Sequence, residues 1–73
     1  MDLKEKLEFL EEIMDVDEET LTENTVLAEV EEWDSFSSLS LMAEMKKKFG
    51  IKLDSGIIKG FKTVADICQC IPD

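Results

Sequence analysis

The sequence predicts an all-α fold, a small bundle of three main helices and one short one, and three observations carry that prediction. Apolar residues recur at helical spacing near the start, the middle and the end of the chain. No stretch alternates convincingly as a strand. Capping residues, glycines and a proline stand where those stripes begin and stop. The 73 residues read as one domain, 1–73, and a chain this short buries only about 60% of the surface its unfolded form exposes, so its stability margin is thin.

The first helix is expected from Asp2 to about Met14, where Leu3, Leu7, Leu10 and Met14 form a stripe with Phe9 and Ile13 beside it. Asp2 can cap its start. That stripe is core. Residues 15–34 follow neither period and scatter Leu21, Val26, Leu27 and Val30 among threonines, Asn24 and acids. They read as a long ordered loop pinned by its own apolar side chains, and loops of this length inside small domains tend to be functional. Asp15, Asp17 and Glu19 suggest a calcium loop, but an EF-hand needs glycine at its sixth position and glutamate at its twelfth. Counting from Asp15 gives Thr20 and Val26, so no metal site is predicted.

Ser35 to Phe49 is the best helix in the chain. At about 100° per residue, Phe36, Leu39, Met42, Ala43 and Phe49 share a broad apolar arc that Leu41 and Met45 widen. Ser37, Ser40, Glu44, Lys47 and Lys48 fall on the opposite arc, which is expected to be exposed. Gly50 supplies the stop. Asp54-Ser55 caps a short helix over Gly56 to Lys59, ended by Gly60, whose Ile57 and Ile58 are expected to close over the core. In the last helix, Thr63 and Asp66 resemble a capping box with a shorter acid. Val64, Ile67, Cys68 and Ile71 form its apolar side, and it ends at Pro72.

Composition removes several kinds of chemistry. The chain has no histidine, so Ser-His and Cys-His nucleophilic catalysis are excluded, and two cysteines alone are too few for zinc. Cys68 and Cys70 lie two apart in a helix and point to nearly opposite faces, which disfavours a disulfide between them. One is expected buried and the other near the surface. Residues 1–34 carry fourteen acids and two lysines, net −12, whereas residues 35–73 carry four acids and six lysines, net +2. Nucleic acid and anionic membranes are therefore poor partners for the first half. Its carboxylates read either as a solvated face or as a surface for basic partners or divalent cations. No run of about 18 apolar residues could span a membrane, and the N-terminus lacks the layout of a signal peptide, so a cytoplasmic protein is expected.

One residue stands out. Ser35 directly follows Asp34 at the point where an exposed loop becomes a helix, and a helix start presents unpaired N–H groups and the positive end of the helix dipole. A phosphate carried there would be well placed. Ser35 or Asp34 could equally be a plain N-cap.

The order of elements and the run Trp33-Asp34-Ser35-Phe36-Ser37-Ser38-Leu39-Ser40-Leu41 resemble the acyl carrier protein family, with its Asp-Ser-Leu signature and recognition helix. Leu21, Asn24-Thr25 and Leu27 resemble the family's loop, Phe49 and Ile51-Lys52-Leu53 the end of its second helix, and Thr63-Val64 the opening of its last one. The resemblance implies an acyl-carrier-like bundle with 4′-phosphopantetheine esterified to Ser35, donated from coenzyme A by a phosphopantetheinyl transferase. Its thiol would hold acyl groups as thioesters. It further implies a carrier rather than an enzyme, and a monomer. An acyl ligase or acyltransferase and downstream synthase enzymes would be its partners, as in fatty-acid, polyketide-type or more specialised biosynthesis. Asp34, Phe36, Ser37, Leu39, Ser40, Glu44, Lys47 and Ile58 are the residues expected to meet them.

Phe36 stands where the family commonly has leucine. Phenylalanine there also occurs in D-alanyl carrier proteins, which keeps an aminoacyl cargo open. The neutral Ser37 and Ser40 and the run Lys46-Lys47-Lys48 depart from the acids usual on the family's recognition helix, which points to a dedicated ligase or transferase. A reading of another class also stands: an unmodified acidic interaction module in which Phe36 and Leu39 dock a partner and Ser35 only caps.

Overall fold

The computed structural model describes residues 2–72, and they form four α-helices: α1 (Leu3–Met14), α2 (Ser35–Phe49), α3 (Ser55–Gly60) and α4 (Val64–Cys70). α1 packs against both α2 and α4. Each start is built by the capping chemistry the sequence offers. Asp2 Oδ1 accepts the Glu5 N–H at 2.9 Å, while the Glu5 carboxylate accepts the Asp2 N–H at 3.3 Å. At α3 the Asp54 carboxylate accepts the Ile57 N–H at 2.8 Å, so Ser55 is the first helical residue rather than part of the cap. At α4 the Asp66 carboxylate reaches back to the N–H groups of Lys62 and Thr63, at 2.9 and 3.1 Å.

α2 ends as its glycine predicts. Gly50 sits in the left-handed region at φ 68°, its N–H bonds the Lys46 carbonyl at 3.0 Å, and the Ile51 N–H reaches the Met45 carbonyl at 3.2 Å. The Gly50–Lys46 bond is that of an αL C-cap, whose left-handed conformation a residue with a Cβ would strain. Just before it, the Phe49 ring meets Phe9 of α1 edge to face, 6.0 Å between centroids. The Lys48 ammonium lies 4.9 Å from the centre of the same Phe9 ring.

The core consists of Leu10, Leu41, Met45, Val64 and Ile67, all fully buried, with Phe9, Met14, Leu21, Leu27, Leu53, Cys68 and Ile71 around them. Burying each such side chain contributes roughly 1.5–3 kcal/mol. α3 adds no fully buried residue. Ile58 is half-buried against the core, but Ile57 stays exposed, so only one of the two expected isoleucines closes over it.

The segment 15–34 is ordered, as expected, and anchored more firmly than its apolar residues alone suggested. Leu21 and Leu27 are buried, and Leu27–Glu29 makes a turn of 3-10 helix. The buried Glu11 carboxylate of α1 accepts the Leu21 N–H at 3.0 Å. Farther along, the Leu27 N–H bonds the Lys62 carbonyl at 2.9 Å, and the Val64 and Ala65 N–H groups bond the carbonyls of Thr25 and Glu23, both at 3.0 Å. One antiparallel bridge, Val26 with Thr63, results. The Val26 side chain stays exposed, so this member of the expected apolar set anchors the loop through its backbone alone.

α2 required the largest correction. Its buried side is Ser37, Leu41 and Met45, four residues apart and so stacked on one face. Met42 and Phe49 half-bury beside them, whereas Phe36, Leu39 and Ala43, expected on the same apolar arc, face solvent. The physical reason is that apolar residues cover more than half of this helix's circumference. Periodicity shows that the helix is amphipathic, but α1 and the core it shares decide which apolar face is covered.

Candidate functional site at the mouth of α2

The end of the long loop and the first turn of α2 are joined by a compact set of hydrogen bonds. Asp34 is the N-cap in an extended conformation, and its Oδ1 accepts the Ser37 N–H at 3.0 Å. In return Ser37 Oγ accepts the Asp34 N–H at 2.9 Å. The Ser37 hydroxyl donates its proton to the Glu32 carbonyl at 2.7 Å, its shortest contact. Behind this, Trp33 half-buries on the core and its N–H bonds the Val30 carbonyl at 3.1 Å.

Ser35 lies between the two halves of this box. It is the first residue of α2 and is exposed. Its carbonyl accepts the Ser38 hydroxyl at 3.0 Å. Asp34 beside it is also exposed, and its carboxyl is held below its ordinary value, first by the Ser37 N–H bond, against the cost of desolvation. A charged carboxylate and a serine hydroxyl thus stand together at the positive end of a 15-residue helix.

Phe36 and Leu39 project from the same end, 76% and 63% exposed, and Ala43 continues the strip one turn on, also exposed. Together they form an exposed apolar strip on one face of the helix. Lys47 is exposed as predicted. With Lys46 and Lys48 it fills the last turn of α2, where positive charge suits the negative end of the dipole. Ser40 and Glu44 are half-buried and border an open cleft of about 440 Å³ with Phe9, Glu12, Ile13 and Lys48. Ile58 sits on α3, half-buried.

The expectation for Ser37 is corrected. It is only 3% exposed and points into the box rather than outward, where its hydroxyl pairs the Glu32 carbonyl and the Asp34 amide. The Asp-x-x-Ser spacing, Asp34 to Ser37, was the signal for this role. Ala43 was missed as a surface residue because it was assigned to the core arc.

Elsewhere the chemistry is sparse. Cys68 is buried and Cys70 half-buried, both are free thiols, and burial pushes the Cys68 thiol up, away from the reactive thiolate. Among the described residues no group of three or more acids and cysteines is arranged to hold a metal ion. No described helix is long and apolar enough to cross a membrane.

The small helical bundle thus offers an exposed serine at a helix mouth beside an exposed apolar strip. The family model described as the phosphopantetheine attachment site matches residues 7–71, nearly the whole chain, and the chain belongs to that family. It is a carrier rather than an enzyme, and its cofactor is covalent 4′-phosphopantetheine. No curated protein and no solved structure matches it.

Proposed function

We propose that Ser35 carries the 4′-phosphopantetheine arm and that the protein presents acyl groups, as thioesters on that arm, to enzymes docking on the outer face of α2. The observation that carries this reading is the position of Ser35: exposed, first in α2, directly behind an ionised Asp34, in a chain of the phosphopantetheine attachment family. The arm's phosphodiester would sit at the positive end of the helix. In its attachment, Ser35 Oγ bonds to the phosphorus next to the pantetheine of coenzyme A. The pyrophosphate P–O bond breaks, 3′,5′-ADP leaves, and the serine proton passes to a base on the transferase, since this chain has no histidine to take it.

Asp34, Phe36, Leu39 and Lys47 lie on the exposed surface around and along α2, and we assign them to partner contact. Ser40 and Glu44 line the neighbouring cleft, and Ile58 on α3 is assigned to the same role. The neutral and basic character of this surface favours a dedicated loading enzyme in a specialised pathway, and the exposed Phe36 keeps an aminoacyl cargo such as D-alanine as the second reading.

The test is intact mass after incubation with coenzyme A and a broad-specificity phosphopantetheinyl transferase. Wild type should gain one phosphopantetheinyl group and Ser35→Ala none. An unchanged wild-type mass, or a gain that survives Ser35→Ala, would favour the unmodified interaction module. Supplying candidate ligases from neighbouring genes with fatty acids or with D-alanine then separates the two cargoes.

A further inference from the structure

We infer that Ser37 is a positioning residue for the modification of Ser35: its buried hydroxyl clamps the end of the long loop to the first turn of α2 and so fixes where the Ser35 hydroxyl and the Asp34 carboxylate stand. The inference rests on Ser35 being the attachment site. A hydroxyl suits this place because it gives and takes at once. Ser37 Oγ donates to the Glu32 carbonyl at 2.7 Å and accepts the Asp34 N–H at 2.9 Å. The bond to Glu32 spans five residues and so reaches outside the capping box, which spans three. Ser35 is held between these fixed points, with no hydrogen bond of its own hydroxyl to hold it among the described residues.

A cap alone would need only the bonds between Asp34 and Ser37. The added bond to Glu32 ties down the peptides on the loop side of the serine. Alanine at position 37 would remove both the donor and the acceptor. Cysteine would keep the shape with a weaker donor, and threonine would keep both functions. Misplacing a reacting group by about 1 Å can lower a rate by about 10²-fold, so the effect is expected in kcat rather than in docking.

The experiment measures kcat and KM for modification by the broad-specificity transferase with coenzyme A, for wild type, Ser37→Ala, Ser37→Cys, Ser37→Thr and Ser38→Ala, at a temperature where circular dichroism shows each variant folded. Ser37→Ala should lose about tenfold in kcat with KM within about twofold. Ser37→Cys should fall between, and Ser37→Thr should recover most of the rate. Ser38→Ala, which removes only a bond within the helix, should match wild type. Faster hydrogen exchange at the Asp34 amide in Ser37→Ala would report the opened clamp directly. If Ser37→Ala fails to fold, Ser37→Cys carries the test. Wild-type kcat in Ser37→Cys and Ser37→Ala, or a threonine variant no faster than alanine, would overturn the clamp while leaving Ser35 in place. An unmodified wild-type protein would instead overturn the assignment of Ser35, and this inference with it.

Discussion

The two faces of α2 are both rich in apolar side chains, yet they have opposite fates. On the inner face Leu41 and Met45 are fully buried and Ser37 closes a hydrogen-bonded box. On the outer face Phe36, Leu39 and Ala43 lie in water next to Ser35. A helix needing only to fold would carry polar residues on the outside. The inner face holds the fold together, and the exposed apolar outer face fits the proposal that enzymes dock there.

Truncations should separate the faces most sharply. Leu41→Ala, at a fully buried position, should lower stability by about 2–5 kcal/mol, enough to threaten a domain of this size. Urea unfolding measures it, and a loss below about 1 kcal/mol would show that the inner face is not the anchor. On the outer face, Phe36→Ala should change stability by less than about 0.5 kcal/mol. It should raise the KM of an enzyme acting at Ser35 by about tenfold, as removal of an interface anchor does. If it instead lowers the melting temperature and leaves KM alone, the roles of the two faces are reversed.

Smaller effects should follow pH and salt. The folded-state carboxyls of Asp34 and Asp66 are both held low, by the backbone N–H groups of Ser37 and of Lys62 and Thr63 respectively. A depressed carboxyl contributes stability that is present above its unfolded value, near pH 4, and is lost as pH falls through the lower folded value. Melting temperature should therefore drop below about pH 4, and Asp34→Asn should flatten that drop. An equal slope in the variant would mean that other carboxylates govern the acid limb. The least effect is expected from added sodium chloride. Residues 1–34 hold net −12, and salt near 0.1 M, with a Debye length of about 10 Å, should relieve their repulsion and raise the melting temperature slightly. A flat response would show that these acids are locally compensated.

Much of this was legible in the chain. The spans of α1 and α2, the stop at Gly50, the apolar side of α4 and the contrast between Cys68 and Cys70 all follow from local chemistry: spacing, caps and a residue free to take positive φ. Ser35 behind Asp34 was visible for the same reason, since a helix start is a local event. The loop was harder. Its hydrogen bonds join Leu21 to Glu11 and Leu27 to Lys62, residues far apart in sequence, and no periodicity encodes such pairs.

The sequence by itself determined that α2 exists, where it begins, and that it is apolar over most of its circumference. Which part of that circumference became core, and hence that Ser37 turned inward while Phe36 and Leu39 stayed outside, was decided only when α1 and the shared core packed against one side. Helix propensity and capping act within a few residues, but burial is a property of whatever lies across the interface. A helix that is apolar over more than half of its circumference leaves that choice to its neighbours.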